Sequence, residues 1–199
     1  MKVCVVGLGY IGLPTTLMLA AHGVDVTGMD KNIKIVDSLC RGVVTFEEKG
    51  LDELFQSAVK QKVAFTDTLG NADVYIVAVS TPYDPVSKKV DAQYVIAAVK
   101  DVLAVCPEGA VLVIESTIPP GTIERSIVPL IRKNVHLVHA PERIIPGNMV
   151  YELEHNSRTI GADDRNVGET VKALYASFCS GEIVITDIKT AEMSKVVEN

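Results

Sequence analysis

The sequence predicts an α/β fold with a doubly wound, mostly parallel sheet and helices on both of its faces. Short runs rich in valine and isoleucine alternate with longer segments of helical spacing almost from end to end. The runs are continuously apolar, which indicates strands that crossover helices bury on both sides. The chain has 199 residues, of which 48% are hydrophobic, and this suffices for one substantial core.

Eight strands are predicted from these apolar runs. In chain order they are 3–6, 24–29, 63–65, 74–79, 111–114, 135–138, 159–160 and 183–185. Helical spacing and polar first turns predict helices at 11–22, 33–39, 51–61, 91–105, 122–133 and 164–178. Asp187 can cap the start of a last helix. The sequence ends at Asn199 without the glycine, proline or basic last turn that usually marks the end of a helix. We therefore expect this helix to be cut off partway.

Three glycines spaced Gly-x-Gly-x-x-Gly follow the first strand and open the first helix. Gly7 permits the tight turn, Gly9 lets a pyrophosphate approach the backbone, and Gly12 lets helix and strand pack closely. The helix N-terminus adds unpaired N–H groups and the positive end of a dipole. The context is typical of a Rossmann-like dinucleotide-binding unit, and we expect Tyr10 and Ile11 to be among its cofactor-binding residues.

An acidic residue, Asp30, ends the second strand eighteen residues after Gly12. Its carboxylate can accept hydrogen bonds from ribose hydroxyls, whereas a 2′-phosphate would meet like charge there. The motif therefore favours NAD over NADP, although the positive charge of the neighbouring Lys31 weakens the exclusion of a 2′-phosphate. FAD and S-adenosylmethionine domains use similar motifs, and a purely structural role, with Asp30 capping the next helix, is a further alternative.

Polar residues follow three later strands, where open α/β sheets bind ligands. Thr81 and Thr117 could bond a phosphate, a ribose or a reacting alcohol, or they could serve only the turns. Glu142, beside Arg143, could do acid–base chemistry or form a surface ion pair. The last helix carries Lys195, which without further information would lie on a solvated face.

Charge and composition exclude several classes of function. The net charge of −6 and the isoelectric point near 5.2 argue against a nucleic-acid partner. No signal peptide and no apolar run of membrane-spanning length occurs, so we expect a cytoplasmic protein without a membrane partner. The four cysteines are widely spaced, which predicts reduced thiols, and no metal site is predicted.

Five motifs occur in a fixed order along the whole chain. They are 7–14 (GLGYIGLP), 80–82 (STP), 115–121 (ESTIPPG), 141–147 (PERIIPG) and 191–195 (AEMSK). Their order and separation resemble the N-terminal domain of the UDP-glucose/GDP-mannose dehydrogenase family. Members of that family oxidise the C6 alcohol of a nucleotide sugar to a carboxylate with two NAD, through an aldehyde and a cysteine thioester.

The resemblance implies a role for each matching residue. NAD would contact Gly7, Gly9, Tyr10, Ile11, Gly12, Asp30, Thr81 and Thr117. Glu142 would assist thioester hydrolysis, and Lys195 and Asn199 would support the oxyanion at C6. Thr117 would also belong to the catalytic set. Arg143, together with Lys195 and Asn199, would contact a UDP-sugar.

Two departures from the family pattern refine this expectation. UDP-glucose dehydrogenases continue the Pro-Glu motif as Phe-Leu-Arg-Glu, whereas this chain continues from Arg143 to Pro146 as Arg-Ile-Ile-Pro. Together with the later stretch 156–161 (NSRTIG), this continuation resembles the UDP-N-acetyl-D-mannosamine 6-dehydrogenase branch. UDP-glucose or UDP-N-acetylglucosamine 6-dehydrogenase, or a free-standing NAD-binding module, are the alternatives.

The second departure is the missing nucleophile. The family's cysteine lies in a Gly-x-Gly-x-Gly-Gly-x-Cys stretch, and none of the four cysteines here has those neighbours. We therefore expect 1–187 to be an NAD-binding domain and 188–199 the start of a truncated central linking helix, without the C-terminal sugar-nucleotide domain. Such a chain would bind NAD but lack activity alone, and its parent enzyme would be a homodimer or larger.

Overall fold

The computed structural model describes residues 1–86 and 88–198. The strands are β1 (Lys2–Val6), β2 (Asp25–Met29), β3 (Ala64–Thr66), β4 (Val74–Val77), β5 (Tyr83–Asp84), β6 (Lys89–Val90), β7 (Ala110–Ile114), β8 (Val135–His139), β9 (Arg158–Ala162) and β10 (Ile183–Thr186). The α-helices are α1 (Gly12–Ala21), α2 (Ile33–Cys40), α3 (Leu51–Lys60), α4 (Gln93–Val105), α5 (Met149–His155), α6 (Arg165–Tyr175) and α7 (Ile188–Glu198).

Eight strands form one sheet in the order β10-β9-β8-β7-β4-β1-β2-β3. Every neighbouring pair is parallel except β8 and β9, which are antiparallel. The chain leaves β1 toward β2 and β3 and then returns to β4 on the other side of β1. The strand order thus reverses at β1, and such a reversal opens a crevice at the carboxyl ends of the strands.

Both faces of the sheet are buried, as the sequence predicts. Along β1, Val3 and Val5 belong to one buried cluster, whereas Cys4 and Val6 belong to another. Helices α1, α3 and α6 contribute to the first cluster, and α4 contributes to the second. Helices therefore cover the two sides of a mostly parallel sheet, and the predicted fold class is confirmed.

Two predicted elements differ from the structure, and two further elements were not predicted. The predicted helix 122–133 is wrong, because the chain forms a π-helical turn (Ile123–Ile127) and a 3₁₀ turn (Val128–Leu130). Pro129 lies inside this segment, and proline cannot donate the N–H that a continuing α-helix needs. The predicted strand 74–79 ends at Val77. The β5–β6 hairpin and the seven-residue α5 were not predicted.

Helix α7 packs against β9 through a close contact. A Cβ at Gly161 would lie 2.7 Å from the Cβ of Ala191 and from the Asp187 carbonyl oxygen, so glycine permits this approach. The Asp187 carboxylate accepts the Thr190 N–H at 2.9 Å, which confirms the predicted cap. Asn199 lies outside the described residues. No described helix is long and apolar enough to cross a membrane.

Candidate functional site

A cleft of about 950 Å³ opens at the carboxyl ends of β1, β2, β4 and β7. It lies where the strand order reverses. The predicted residues that line it are Gly7, Gly9, Tyr10, Ile11, Asp30, Thr81, Thr117 and Glu142. Gly12, Arg143 and Lys195 are not among the lining residues. Residues far apart in the sequence therefore meet in one cavity large enough for a dinucleotide.

The three glycines of the turn have three different surroundings. Gly7 has φ +95°, and a Cβ there would lie 2.8 Å from the Ala78 carbonyl oxygen. A Cβ at Gly12 would overlap the carbonyl oxygen of Gly7, so the first turn of α1 can approach β1 only without a side chain. Gly9 has no atom within 4 Å of its Cβ position and lines the cleft. Its open side suits the close approach of a ligand.

The Asp30 carboxylate links the end of β2 to the glycine-rich turn. Its Oδ2 accepts the Leu8 N–H at 2.7 Å, and its Oδ1 accepts the Asn32 N–H at 2.8 Å. Asn32, rather than Asp30, caps α2 by accepting the Lys34 N–H. A carboxylate has about four acceptor positions, so Asp30 keeps capacity for further hydrogen bonds from a ligand.

Glu48 joins the glycine-rich turn to the loop after Glu142, and no pattern in the sequence indicates this role. It lies in a polar segment before α3, accepts the Tyr10 hydroxyl at 2.7 Å and accepts the Gly147 N–H at 2.9 Å. The Gly147 N–H, followed by the Tyr10 hydroxyl, lowers the pKa of Glu48. The Tyr10 ring also packs against Phe46, with centroids 4.9 Å apart. The glycine-rich turn is thereby tied to the loop that follows Glu142.

Hydroxyl groups lie where β4 and β7 end. The Ser116 hydroxyl donates to the Val79 carbonyl oxygen at 2.7 Å and so holds the two strand ends together. Thr81 and Thr117 line the cleft, and no hydrogen bond of their hydroxyls to another described residue is found. These two hydroxyls are therefore able to bond a ligand.

A buried ionic cluster lies at the floor of the cleft. Arg158, from β9, pairs through Nη2 with Glu142 and lies 3.4 Å from Glu115 through Nη1. The side chains of Arg158, Glu142 and Glu115 are only 4%, 4% and 0% exposed. The alternative of a surface ion pair is therefore wrong for Glu142. Arg143 instead donates to the Ser157 hydroxyl at 3.3 Å.

Burial gives Glu115 and His139 unusual protonation. Burial raises the pKa of Glu115 to about 7; Arg158 opposes the rise, and Glu142 adds to it. Tyr175 and Thr15 donate hydroxyl hydrogen bonds to this carboxyl at 3.1 and 3.2 Å. Burial lowers the pKa of His139 to about 4. Near pH 6, Glu115 therefore keeps its proton and His139 is neutral.

Replacement of Glu115 by glutamine is expected to change the pH dependence of stability. The pKa of Glu115 is about 7 in the folded protein and about 4.5 in the unfolded chain. Between these two pH values the folded protein binds the proton more strongly, so the contribution of Glu115 to stability is lost as pH rises from about 4.5 to about 7. His139 contributes stability that is lost as pH falls from about 6.5 to about 4. The two slopes offset each other in the wild type. Glu115→Gln should leave a rise in stability of roughly 1 kcal/mol per pH unit between pH 4.5 and 6.5, because the His139 contribution is no longer offset.

Urea unfolding at several pH values measures this slope. Glutamine resembles the protonated carboxyl in shape and keeps hydrogen-bonding groups for Tyr175 and Thr15. Glu169→Gln, on the exposed side of α6, is the matched control and should follow the wild type. Parallel pH profiles for Glu115→Gln and the wild type would contradict the assigned protonation.

The remaining predicted residues lie away from the cleft floor. Lys195 is half-buried on α7. Glu192, one turn earlier, is buried and accepts the N–H groups of Gly121 and Ile123 at 2.6 and 3.0 Å, so it holds the loop after β7. None of the four cysteines lines the cleft: three are buried, and Cys40 is exposed at the end of α2. Among the described residues, no cluster of His, Cys, Asp or Glu could hold a metal ion.

The chain matches known proteins over its whole length. Residues 1–179 match the NAD binding domain of the UDP-glucose/GDP-mannose dehydrogenase family. A UDP-N-acetyl-D-mannosamine dehydrogenase of Methanococcus vannielii is 45% identical over 100% of this chain and 47% of its own length.

Two solved structures have the same architecture. The UDP-N-acetyl-mannosamine dehydrogenase of Staphylococcus aureus is 40% identical, with a TM-score of 0.93 over 100% of this chain and 50% of its own. A UDP-D-ManNAc dehydrogenase of Pyrococcus horikoshii is 36% identical, with a TM-score of 0.92 and the same coverage. The chain spans about half the length of these relatives. Because residues 1–179 match the NAD binding domain of the UDP-glucose/GDP-mannose dehydrogenase family, the chain belongs to that family.

Proposed function

We propose that this chain is the NAD-binding half of a UDP-N-acetyl-D-mannosamine 6-dehydrogenase. The observation that carries the proposal is the cleft in which the glycine-rich turn, Asp30 and Glu142 meet. The substrate assignment is supported by the Arg143 to Pro146 continuation of the Pro-Glu motif and by the names of the similar proteins. The chain covers half of those proteins, so the second half supplies the rest of the reaction.

The shape of the cleft and its hydrogen-bonding groups suit NAD. Gly9 leaves open the side on which a pyrophosphate would lie, and the start of α1 offers N–H groups to it. Asp30 is already oriented by two backbone N–H groups and suits the hydroxyls of an adenosine ribose. Tyr10, Ile11, Thr81 and Thr117 line the cleft, and the last two would contact the nicotinamide half of a bound NAD.

NAD, when bound, supplies the hydride acceptor for oxidation at C6 of the sugar. The protein's own groups orient the substrate and handle protons. Glu142 is held by Arg158 at the floor of the cleft and would take a proton from the water that hydrolyses a thioester. Lys195 and Asn199 would stabilise the oxyanion at C6, and Arg143 would contact the UDP-sugar.

The nucleophile of this reaction belongs to the second half of the enzyme. None of the four cysteines lines the cleft, so a thiol that attacks the aldehyde must come from elsewhere. We therefore assign NAD binding to 1–187 and the start of a linking helix to 188–199. The chain alone would be inactive, and the complete enzyme would be a homodimer or larger in the cytoplasm.

Replacement of Asp30 by alanine tests the proposed cofactor site. The change removes ribose hydrogen bonds to a charged acceptor, and we expect NAD binding to weaken by about 1.5–3 kcal/mol. Discrimination against NADP should shrink as well, because the like charge that repels a 2′-phosphate is gone. Isothermal titration calorimetry with both nucleotides measures the two effects.

The control for this experiment is Asp25→Ala at the opposite end of β2, where the side chain is exposed. It should bind NAD as the wild type does. Urea unfolding of Asp30→Ala checks that loss of the Leu8 and Asn32 hydrogen bonds leaves the fold intact. An unchanged NAD affinity in a folded Asp30→Ala variant would move ribose binding to another residue.

A further inference from the structure

An ion pair crosses the cleft next to Asp30. The ammonium of Lys31, in the loop after β2, lies 2.5 Å from Oδ2 of Asp101 on α4. Both residues line the cleft together with Asp30. The Lys31 side chain is 69% exposed, so its ammonium is accessible to a ligand and to solvent ions, whereas the Asp101 side chain is 41% exposed but its paired Oδ2 is buried.

The pair matters because Lys31 has the wrong charge for a site that selects NAD. A lysine beside the ribose carboxylate offers an ammonium to a 2′-phosphate, which carries up to two negative charges near neutral pH. The charges of Asp30 and Lys31 alone would sum to zero, so the ammonium would largely cancel the repulsion between Asp30 and the 2′-phosphate of NADP. Asp101 restores a net charge of −1 at this end of the cleft and occupies the ammonium.

We propose that Asp101 is a specificity-determining residue that favours NAD over NADP by engaging Lys31. The proposal rests on the proposed NAD site and adds a residue to it. Asp30 acts directly on the ribose hydroxyls, whereas Asp101 acts through the lysine. Exposed ion pairs contribute little to stability, so the role of this pair is selection of the ligand rather than support of the fold.

The proposal predicts that Asp101→Asn gains affinity for NADP and not for NAD. The variant removes the negative charge of Asp101, whose interaction with the 2′-phosphate is partly screened by solvent. NADP binding should therefore strengthen about fivefold at low salt. NAD affinity should stay within about twofold, because NAD has no phosphate at the 2′ position. Raising the salt concentration should reduce the gain, since screening weakens the contact between Lys31 and the phosphate.

Two further variants separate this mechanism from a general charge effect. Lys31→Gln combined with Asp101→Asn should lose the NADP gain, because the ammonium that would hold the phosphate is absent. Asp37→Asn makes the same charge change at an exposed position of α2 outside the cleft, and it should bind both nucleotides as the wild type does. Thermal unfolding of each variant confirms that all are folded.

The outcomes distinguish this inference from the function on which it rests. A selective NADP gain in Asp101→Asn that disappears without Lys31 supports the inference. Normal NAD binding with no NADP gain, an equal gain for both nucleotides, or a gain that persists without Lys31 overturns it alone. Failure of the wild type to bind NAD overturns the proposed function and this inference together.

Discussion

Replacement of Arg158 by methionine is expected to lower the free energy of unfolding by about 3–5 kcal/mol. Methionine keeps much of the side-chain volume but removes the cation that pairs with Glu142 inside the protein. The ionised carboxylate is then buried without a partner, and this desolvation cost is the main source of the loss. The guanidinium also stacks on the Tyr175 ring, 4.4 Å from its centroid, and that contact is lost as well.

Urea unfolding of Arg158→Met measures this effect. Arg165→Met, at an exposed position in the first turn of α6, is the control and should change stability by less than about 0.5 kcal/mol. Adding Glu142→Gln to Arg158→Met should recover part of the loss, because the unpaired charge is removed. A loss below about 1 kcal/mol for Arg158→Met would contradict the buried ion pair.

Replacement of Gly12 by alanine is expected to destabilise the fold by at least about 3 kcal/mol and to abolish NAD binding. The new Cβ would overlap the carbonyl oxygen of Gly7, and neither backbone can move without separating α1 from β1. Overpacking of this kind costs about 1–3 kcal/mol even where flexible side chains can yield. Here the new Cβ would displace backbone atoms, which yield less than side chains do. We therefore expect a loss in the free energy of unfolding of at least about 3 kcal/mol.

Replacement of Gly9 by alanine is the matched variant and should weaken NAD binding without destabilising the fold. No atom lies within 4 Å of its Cβ position, so the free energy of unfolding should change by less than about 0.5 kcal/mol. The methyl group would occupy the space of the pyrophosphate and weaken NAD binding at least about tenfold. Urea unfolding and calorimetry on both variants test the pair. Full NAD affinity in Gly9→Ala would place the phosphates elsewhere.

The sequence predicted those parts of the fold that depend on local patterns. Continuous apolar runs such as the one at β1 specify buried strands, and the glycine spacing specifies the turn after it. The segment 122–133 has helical spacing, but Pro129 prevents continuation as an α-helix. Helix α5 is only seven residues long, too short for its periodicity to stand out from the surrounding loop.

Site residues that lie next to a sequence motif could be predicted. Site residues that contact partners distant in the sequence could not. Asp30 follows a strand at a known spacing from the glycines. Glu48 contacts Tyr10 across 38 positions and Gly147 across 99, and no local signal announces either contact. No local pattern predicts the ion-pair partners of Arg158 or Asp101 either, although Arg158 belongs to the 156–161 stretch that resembles the mannosamine branch. They become partners of Glu142 and Lys31 only when the sheet and α4 bring them together.

The dissociation constants of the wild-type chain for NAD and for NADP, measured by calorimetry in one buffer, test the central claim most directly. The structure offers an open pyrophosphate position at Gly9 and an oriented carboxylate at Asp30, so NAD should bind at least about tenfold more tightly than NADP. Equal affinities for the two nucleotides, or no binding of either, would contradict the assignment of this chain as an NAD-binding half-enzyme.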